Sequence, residues 1–215
     1  MEKLKIAVLF GGCSSEYDIS LKSAYSVITH MDRGKYECVM LGITRGGEWF
    51  CFRGAPEKIL DDTWNNPAEC ARAIISPSRD VRGVLVFDGD NVVTIRLAAA
   101  MPALHGRNGE DGTVQGLLEL AGIPVIGSGA LASALCMDKG RANKIVETAG
   151  VPAPRSFTFR AGTDIETCLL QAGKLGYPLF VKPVNAGSSH GITKVPDRAG
   201  MPSAVQRRAR SRMMY

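Results

Sequence analysis

The chain has 215 residues, 45% of them hydrophobic and 22% charged, and a formal net charge of +5. Those shares are ordinary for a soluble globular protein, and no apolar run approaches the roughly 20 residues that span a bilayer, so no helical membrane span is expected. The positive excess is local: residues 196–215 carry five arginines against one aspartate, while the preceding residues carry 21 basic and 20 acidic side chains, which leaves no basic footprint for nucleic acid.

Residues 5–10, KIAVLF, form a continuous apolar run, the pattern of a parallel strand buried on both faces. The run falls short of the roughly 7–15 residues of a signal-peptide core, so it reads as the first strand of a cytoplasmic protein. Gly11-Gly12 break it. Ser14 or Ser15 can then cap a helix whose apolar positions are Ile19, Ala24, Val27 and Ile28. A second strand is predicted over 36–44 and a short one over 47–52. Residues 53–80 are polar and punctuated by proline, which predicts a loop with a short helix. VLVF (84–87) and VVTIRL (92–97) flank Asp88-Gly89-Asp90-Asn91, a hairpin signal. A short strand within 98–104 leads into the glycine-rich HGRNGEDG (105–112), then a helix over 113–122 that stops at Gly122, then a strand over 123–128. This alternation predicts an α/β fold, a Rossmann-like parallel sheet over 1–129.

A smaller α+β unit is predicted over 130–195. It holds a helix over 130–149 with Asp138-Lys139 near its middle, a strand over 155–159, a helix over 164–175, and a strand over 179–181 that delivers Lys182. A strand-like run over 191–195 follows. Residues 196–215 show no apolar period and read as an unrelated basic tail, with the composition of frame-shifted GC-rich coding sequence. The six cysteines (13, 38, 51, 70, 136 and 168) form no CxxC pair, so reduced thiols are expected, not a zinc site or a disulfide framework.

Glu16 follows a strand's carboxyl end at a helix start, the edge where open α/β sheets take ligands. Its carboxylate can pair with an ammonium or merely complement the helix dipole, and spacing alone weighs these equally. His105 opens a loop with glycines at 106, 109 and 112, which allow close backbone approach. It could donate to a carboxylate or carry a proton, although a lone histidine in such a loop is more often structural. Asp111 could cap the following helix, and Glu110 could hold a neighbouring cation. Lys139 by itself is an ordinary solvated helix residue. Lys182 faces a Gly187-Ser188-Ser189 turn, which suits phosphate, and a lysine after three apolar residues is unfavourable unless it meets an anion.

Each motif is weak alone. In order, KIAVLFGGCSSEYDIS, PALHGRNGEDGTVQGLLELAGIPVIGSG, ALASALCMDKGRANKIVETAGVPAP and YPLFVKPVNAGSSHGITKV resemble the D-alanine–D-alanine ligases of the ATP-grasp superfamily, over residues 4–195. LGITRGGEWF (41–50) and the stretch around Trp64 resemble the D-alanine–D-serine ligases of vancomycin-resistance clusters. The resemblance implies that ATP converts the carboxylate of one D-alanine into an acyl phosphate. The amine of a second D-amino acid then attacks it, giving a peptidoglycan dipeptide. It also implies roles. Glu16 would bind the first D-alanine's ammonium, with Ser188 in the same hydrogen-bond network, and His105 would lie by the substrate. Lys139 and Lys182 would contact ATP phosphates, with Ser189 in the loop over them.

By the same resemblance, the family's third domain, which would supply the ligands for Mg²⁺, is expected to be missing from this chain, and His190 stands where an apolar residue is usual. Little or no activity is therefore expected of this chain alone. A homodimer through the N-terminal domain is also implied. The alternative reading is a truncated, non-catalytic binding or interaction module. A nicotinamide oxidoreductase fails because Gly11-Gly12 lacks the GxGxxG order.

Overall fold

The apolar run at the N-terminus becomes strand β1 (Leu4–Gly11), buried from Ile6 onward as a strand covered on both faces should be. It belongs to a computed structural model that describes residues 2–160, 162–185 and 191–210, the last four by backbone only. The chain divides into two units, Met1–Ala134 and Leu135–Tyr215.

In the first unit β1 is followed by β2 (Tyr36–Ile43), β3 (Trp49–Phe52), β4 (Cys70–Ile75), β5 (Gly83–Asp88), β6 (Asn91–Arg96) and β7 (Ala99–Pro102). They form one sheet in the order β6-β5-β4-β3-β2-β1-β7. β1 is parallel to both β2 and β7, whereas β2 through β6 pair antiparallel in succession. The expected α/β fold is present, and the parallel strands are those that carry the loops of interest. The strand expected over 123–128 is reduced to a single parallel bridge, Ala100 with Val125. Conversely, β4 arises inside the segment read as loop. Its Ala73 and Ile75 are buried and its Arg72 and Ile74 exposed, the alternation of a half-covered antiparallel strand.

Helices α1 (Tyr17–His30), α2 (Glu57–Leu60) and α3 (Thr113–Leu120) accompany the sheet. α1 buries Tyr17, Leu21, Ala24 and Ile28 in a cluster with Val8, Phe10, Phe52, Ile59 and Trp64. α3 buries Val114 and Leu118 in the cluster that holds Leu9, Leu41 and Leu104. β1 therefore feeds a core on each of its faces. Ile19, expected on the buried side of α1, is 45% exposed, and Ser20, at 0%, lies inside. Gly122 ends α3 as anticipated, at φ +71° with its N–H on the Glu119 carbonyl at 3.1 Å.

The helix expected over 130–149 is two helices, α4 (Ala130–Met137) and α5 (Lys139–Thr148). They break at Asp138, whose carboxylate caps α5 by accepting the Arg141 N–H at 2.9 Å. α6 (Ile165–Leu175) is capped the same way by Asp164, from the Thr167 N–H at 2.8 Å. Residues 155–159 are not a strand. Among the described residues they pair with no ladder, and Phe157 and Phe159 pack instead on the unit's small core. Strands β8 (Leu179–Val181) and β9 (Thr193–Val195) form an antiparallel pair. The stretch read as a basic tail contains helix α7 (Met201–Arg210). Its Met201 and Ala204 are buried with Cys168, Leu169, Ala172, Val181 and Val195, so it is a structural part of the unit.

Candidate functional site

The parallel strands β1, β2 and β7 end along one edge of the sheet, and three loop residues meet there. Ser20, on the buried face of α1, ties the strand exits together: its Oγ accepts the Gly11 N–H at 2.9 Å and donates to the Ala103 carbonyl at 2.6 Å. Beyond Gly11 the chain turns at Ser14, whose Oγ accepts the Glu16 N–H at 3.1 Å. Ser14 thus shapes the turn before α1, while Glu16 occupies the cap position without a side-chain cap bond.

Glu16 is 5% exposed, and its carboxylate presses on the loop that leaves β7. A Cβ added at Gly106 would stand 2.5 Å from Glu16 Oε2 and 2.6 Å from Ser14 Oγ, and Gly106 has φ +69°. Both constraints call for glycine. The structure therefore brings Glu16 and the His105 loop together. His105 Nε2 lies 2.8 Å from Ser23 Oγ on α1. Glu110 Oε2 accepts the Gly106 N–H at 2.7 Å and so stiffens the same loop. Asp111 accepts the N–H groups of Thr113 at 3.1 Å and Asn108 at 2.9 Å. Burial pushes its carboxyl up, but these backbone bonds outweigh it and hold the group below its usual value. A cleft of about 220 Å³ opens beside these loops, lined by Gly12, Cys13, Trp49, Leu104, His105 and Arg107 among others.

Next to Glu16, Tyr17 anchors the start of α1. Its hydroxyl donates to Asp62 Oδ1 at 2.9 Å and accepts the Trp64 indole N–H at 3.0 Å. The Arg45 guanidinium lies 3.9 Å from the ring centroid. Burial, assisted by the Asp62 carboxylate, pushes the phenol up to about 12.

In the second unit, Lys139 opens α5, and its N–H and Nζ both reach the Val184 carbonyl, at 3.2 and 3.4 Å. Val184 lies two residues after Lys182, so both lysines belong to the exit of β8. Lys182 is exposed, which removes the argument that desolvation obliges it to meet an anion. β8 and β9 cover only one of their faces, and Lys182 follows the buried Val181 onto the other. Ser188 and Ser189 lie outside the described residues. Among the described residues no three His, Cys, Asp or Glu side chains come together, so no residue is assigned to Mg²⁺.

Ser20, Ser23 and the Tyr17–Asp62–Trp64 network did not emerge from the sequence. The one signal available for the serines was their i, i+3 spacing on a helix that begins at a strand exit.

Two family models match the chain: "D-ala D-ala ligase N-terminus" over residues 5–128 and "D-ala D-ala ligase C-terminus" over residues 145–212. The second match runs through α7. A D-alanine–D-alanine ligase of Thermoanaerobacter sp. (strain X514) is 48% identical over 212 residues, covering 96% of this chain and 57% of that protein. The vancomycin B-type resistance protein VanB of Enterococcus faecalis is 39% identical over 207 residues, with shares of 96% and 57%. Among solved structures, the VanG D-Ala:D-Ser ligase of Enterococcus faecalis superposes with a TM-score of 0.88 at 44% identity, covering 96% of this chain and 60% of that one. The D-alanine–D-alanine ligase of Coxiella burnetii gives 0.86 at 30% identity, covering 97% and 61%.

The α/β sheet of the first unit and the small second unit thus share their fold with solved D-alanine ligases. The chain belongs to the D-alanine–D-alanine ligase family. It spans about 57% of the length of the curated relatives it matches.

Proposed function

We propose that Glu16 and His105 bind the first D-alanine of an ATP-dependent ligase that joins it to a second D-amino acid. In the same reading, Lys139 and Lys182 contact the phosphates of ATP. The observation that carries it is the buried Glu16 carboxylate, fixed against Gly106 where β1 and β7 end together. That edge is where open α/β sheets take ligands. A carboxylate in a low-dielectric position gains more from a cation than one in water does, and an α-ammonium offers both charge and N–H donors. His105, in the adjoining loop, can serve the substrate's carboxylate.

Two cations at the exit of one strand suit a polyphosphate, because phosphoryl transfer depends mainly on positioning and charge neutralisation. Bound there, ATP supplies the phosphoryl group that activates D-alanine's carboxylate. The chain's own residues hold the amino acid and orient the phosphates. Six free cysteines suit a reducing cytoplasmic setting. Among the described residues no helix is long and apolar enough to cross a membrane.

The test is a titration of the 215-residue chain with D-alanine, L-alanine and ATP, followed by calorimetry. D-alanine should bind in preference to L-alanine. Glu16→Gln should weaken it about tenfold or more, given roughly 1.5–3 kcal/mol for a hydrogen bond to a charged group. Lys139→Ala and Lys182→Ala should weaken ATP and spare D-alanine. Equal responses to the two alanine enantiomers, or a Glu16→Gln chain that binds D-alanine unchanged, would sink the assignment. ATP binding lost with D-alanine binding retained would favour the non-catalytic module.

A further inference from the structure

Arg45 sits in the turn between β2 and β3 and reaches two other segments. The turn is closed on itself: the Thr44 N–H donates to the Glu48 carbonyl at 2.9 Å, and the Gly47 N–H donates to the Thr44 carbonyl at 3.0 Å. Ile43, Gly47 and Trp49, around the same turn, line the cleft. Arg45 crosses to α1 instead. Its Nη2 donates to Asp18 Oδ1 at 2.7 Å and lies 3.5 Å from Asp62 Oδ2, while its guanidinium carbon is 3.9 Å from the Tyr17 ring centroid. Tyr17 and Asp18 are the two residues that follow Glu16, and Asp62 belongs to the loop after α2. The Arg45 side chain is 58% exposed, and a lone exposed ion pair is worth little. Arg45 is not in a lone pair, because a planar guanidinium can stack on a ring and serve two carboxylates at once. Asp62 divides its carboxylate between the partners, Oδ1 to the Tyr17 hydroxyl and Oδ2 toward Arg45, on a left-handed backbone at φ +54°. A residue other than glycine keeps that conformation where its surroundings impose it.

We infer that Arg45 is a positioning residue, a latch that fixes the start of α1, and with it Glu16, to the turn that walls the cleft. Two backbone bonds flank the latch. On the turn side the Gly12 N–H donates to the Ile43 carbonyl at 2.8 Å, and on the helix side the Ser20 N–H donates to the Glu16 carbonyl at 3.1 Å. Without Arg45 the turn keeps its own bonds but can swing about the end of β2. The first turn of α1 loosens too, because Glu16 at the cap position makes no side-chain cap bond there. Arg45 acts only through the groups it braces. Its consequence for D-alanine rests on the reading above, in which Glu16 holds that amino acid.

Amide hydrogen exchange of the full 215-residue chain, read by NMR at Gly12 and Ser20, tests the latch from both ends. Arg45→Met should speed exchange at both amides about threefold or more. Asp18→Ala, which leaves the turn unaltered, should also speed Gly12, and the double variant should match Arg45→Met there, because either change opens the same latch. Arg45→Lys keeps the charge but loses the stacked fork, and it should fall between the unaltered chain and Arg45→Met. An Arg45→Met chain with Ser20 unchanged overturns the inference, as does an Asp18→Ala chain with Gly12 unchanged or a double variant whose effects at Gly12 add. A D-alanine titration of the same chains reads the consequence for Glu16. Arg45→Met should weaken D-alanine about threefold or more. D-alanine bound equally by the unaltered chain and Arg45→Met overturns the positioning of Glu16. An unaltered chain that does not bind D-alanine overturns the reading of the site, and exchange at Gly12 and Ser20 then decides the role of Arg45 by itself.

Discussion

At Gly106 the backbone of one loop and the carboxylate of another occupy adjoining space. An alanine there would meet Glu16 Oε2 and Ser14 Oγ and would have to hold φ +69°. Gly106→Ala should cost about 1–2 kcal/mol from the left-handed backbone alone and should abolish D-alanine binding by displacing Glu16. Urea unfolding and a D-alanine titration check the two halves of that statement. Tyr17 sets a pH limit. Its folded value, about 12, lies above the ordinary phenol value of 10.0, so the folded state keeps a proton that the unfolded chain gives up. Its contribution is complete below pH 10.0 and is lost as pH rises toward about 12. The urea midpoint should fall over that window, and Tyr17→Phe should flatten the fall while weakening the chain at neutral pH by about 1–3 kcal/mol, because Asp62 and Trp64 lose their shared partner. The placement of Glu16 and His105 at one sheet edge was legible because each directly follows a predicted strand end. Ser20 and Ser23 were not, because nothing local distinguishes a serine that ties two loops from one that faces water.

At the scale of elements, sequence period carried the long helices and the buried strands and failed where its window was short. β4 alternates correctly, but Pro67 and Pro77 flank it and its outward Arg72 gives it the look of a loop. RSFTF has strand composition, yet β propensity expresses packing on neighbours, and these residues pack on the core without a ladder to join. α7 was hidden because Pro202 reads as a breaker. In a helix's first turn proline is tolerated, since its missing N–H would have had no partner there. What remains of the helical signal is Met201, Ala204 and Val205, a single turn of apolar spacing. Met201 is 1% exposed. Met201→Ala should cost about 2–5 kcal/mol as a buried cavity, read as faster hydrogen exchange at the β8 and β9 amides. Unchanged protection there would make α7 the tail that composition suggested.

Across the whole molecule, the chemistry-bearing groups sort by unit. The Glu16 carboxylate and the His105 imidazole stand in segments that follow parallel strands β1 and β7 of the first unit, and both lysines stand in the second. The antiparallel strands β3 to β6 contribute mass and core, and β3 also sends Trp49 to the cleft. That distribution has an optical consequence. The chain's two tryptophans, Trp49 and Trp64, both fall within residues 1–134. Trp64 is wholly enclosed, 5.0 Å from Phe10 in an edge-to-face contact, while Trp49 borders the cleft. Intrinsic fluorescence is therefore a private channel of the first unit. Its blue-emitting component reports whether the sheet core is intact, and its Trp49 component reports occupancy beside His105. The lysine-bearing unit contains no tryptophan and adds no emission of that kind.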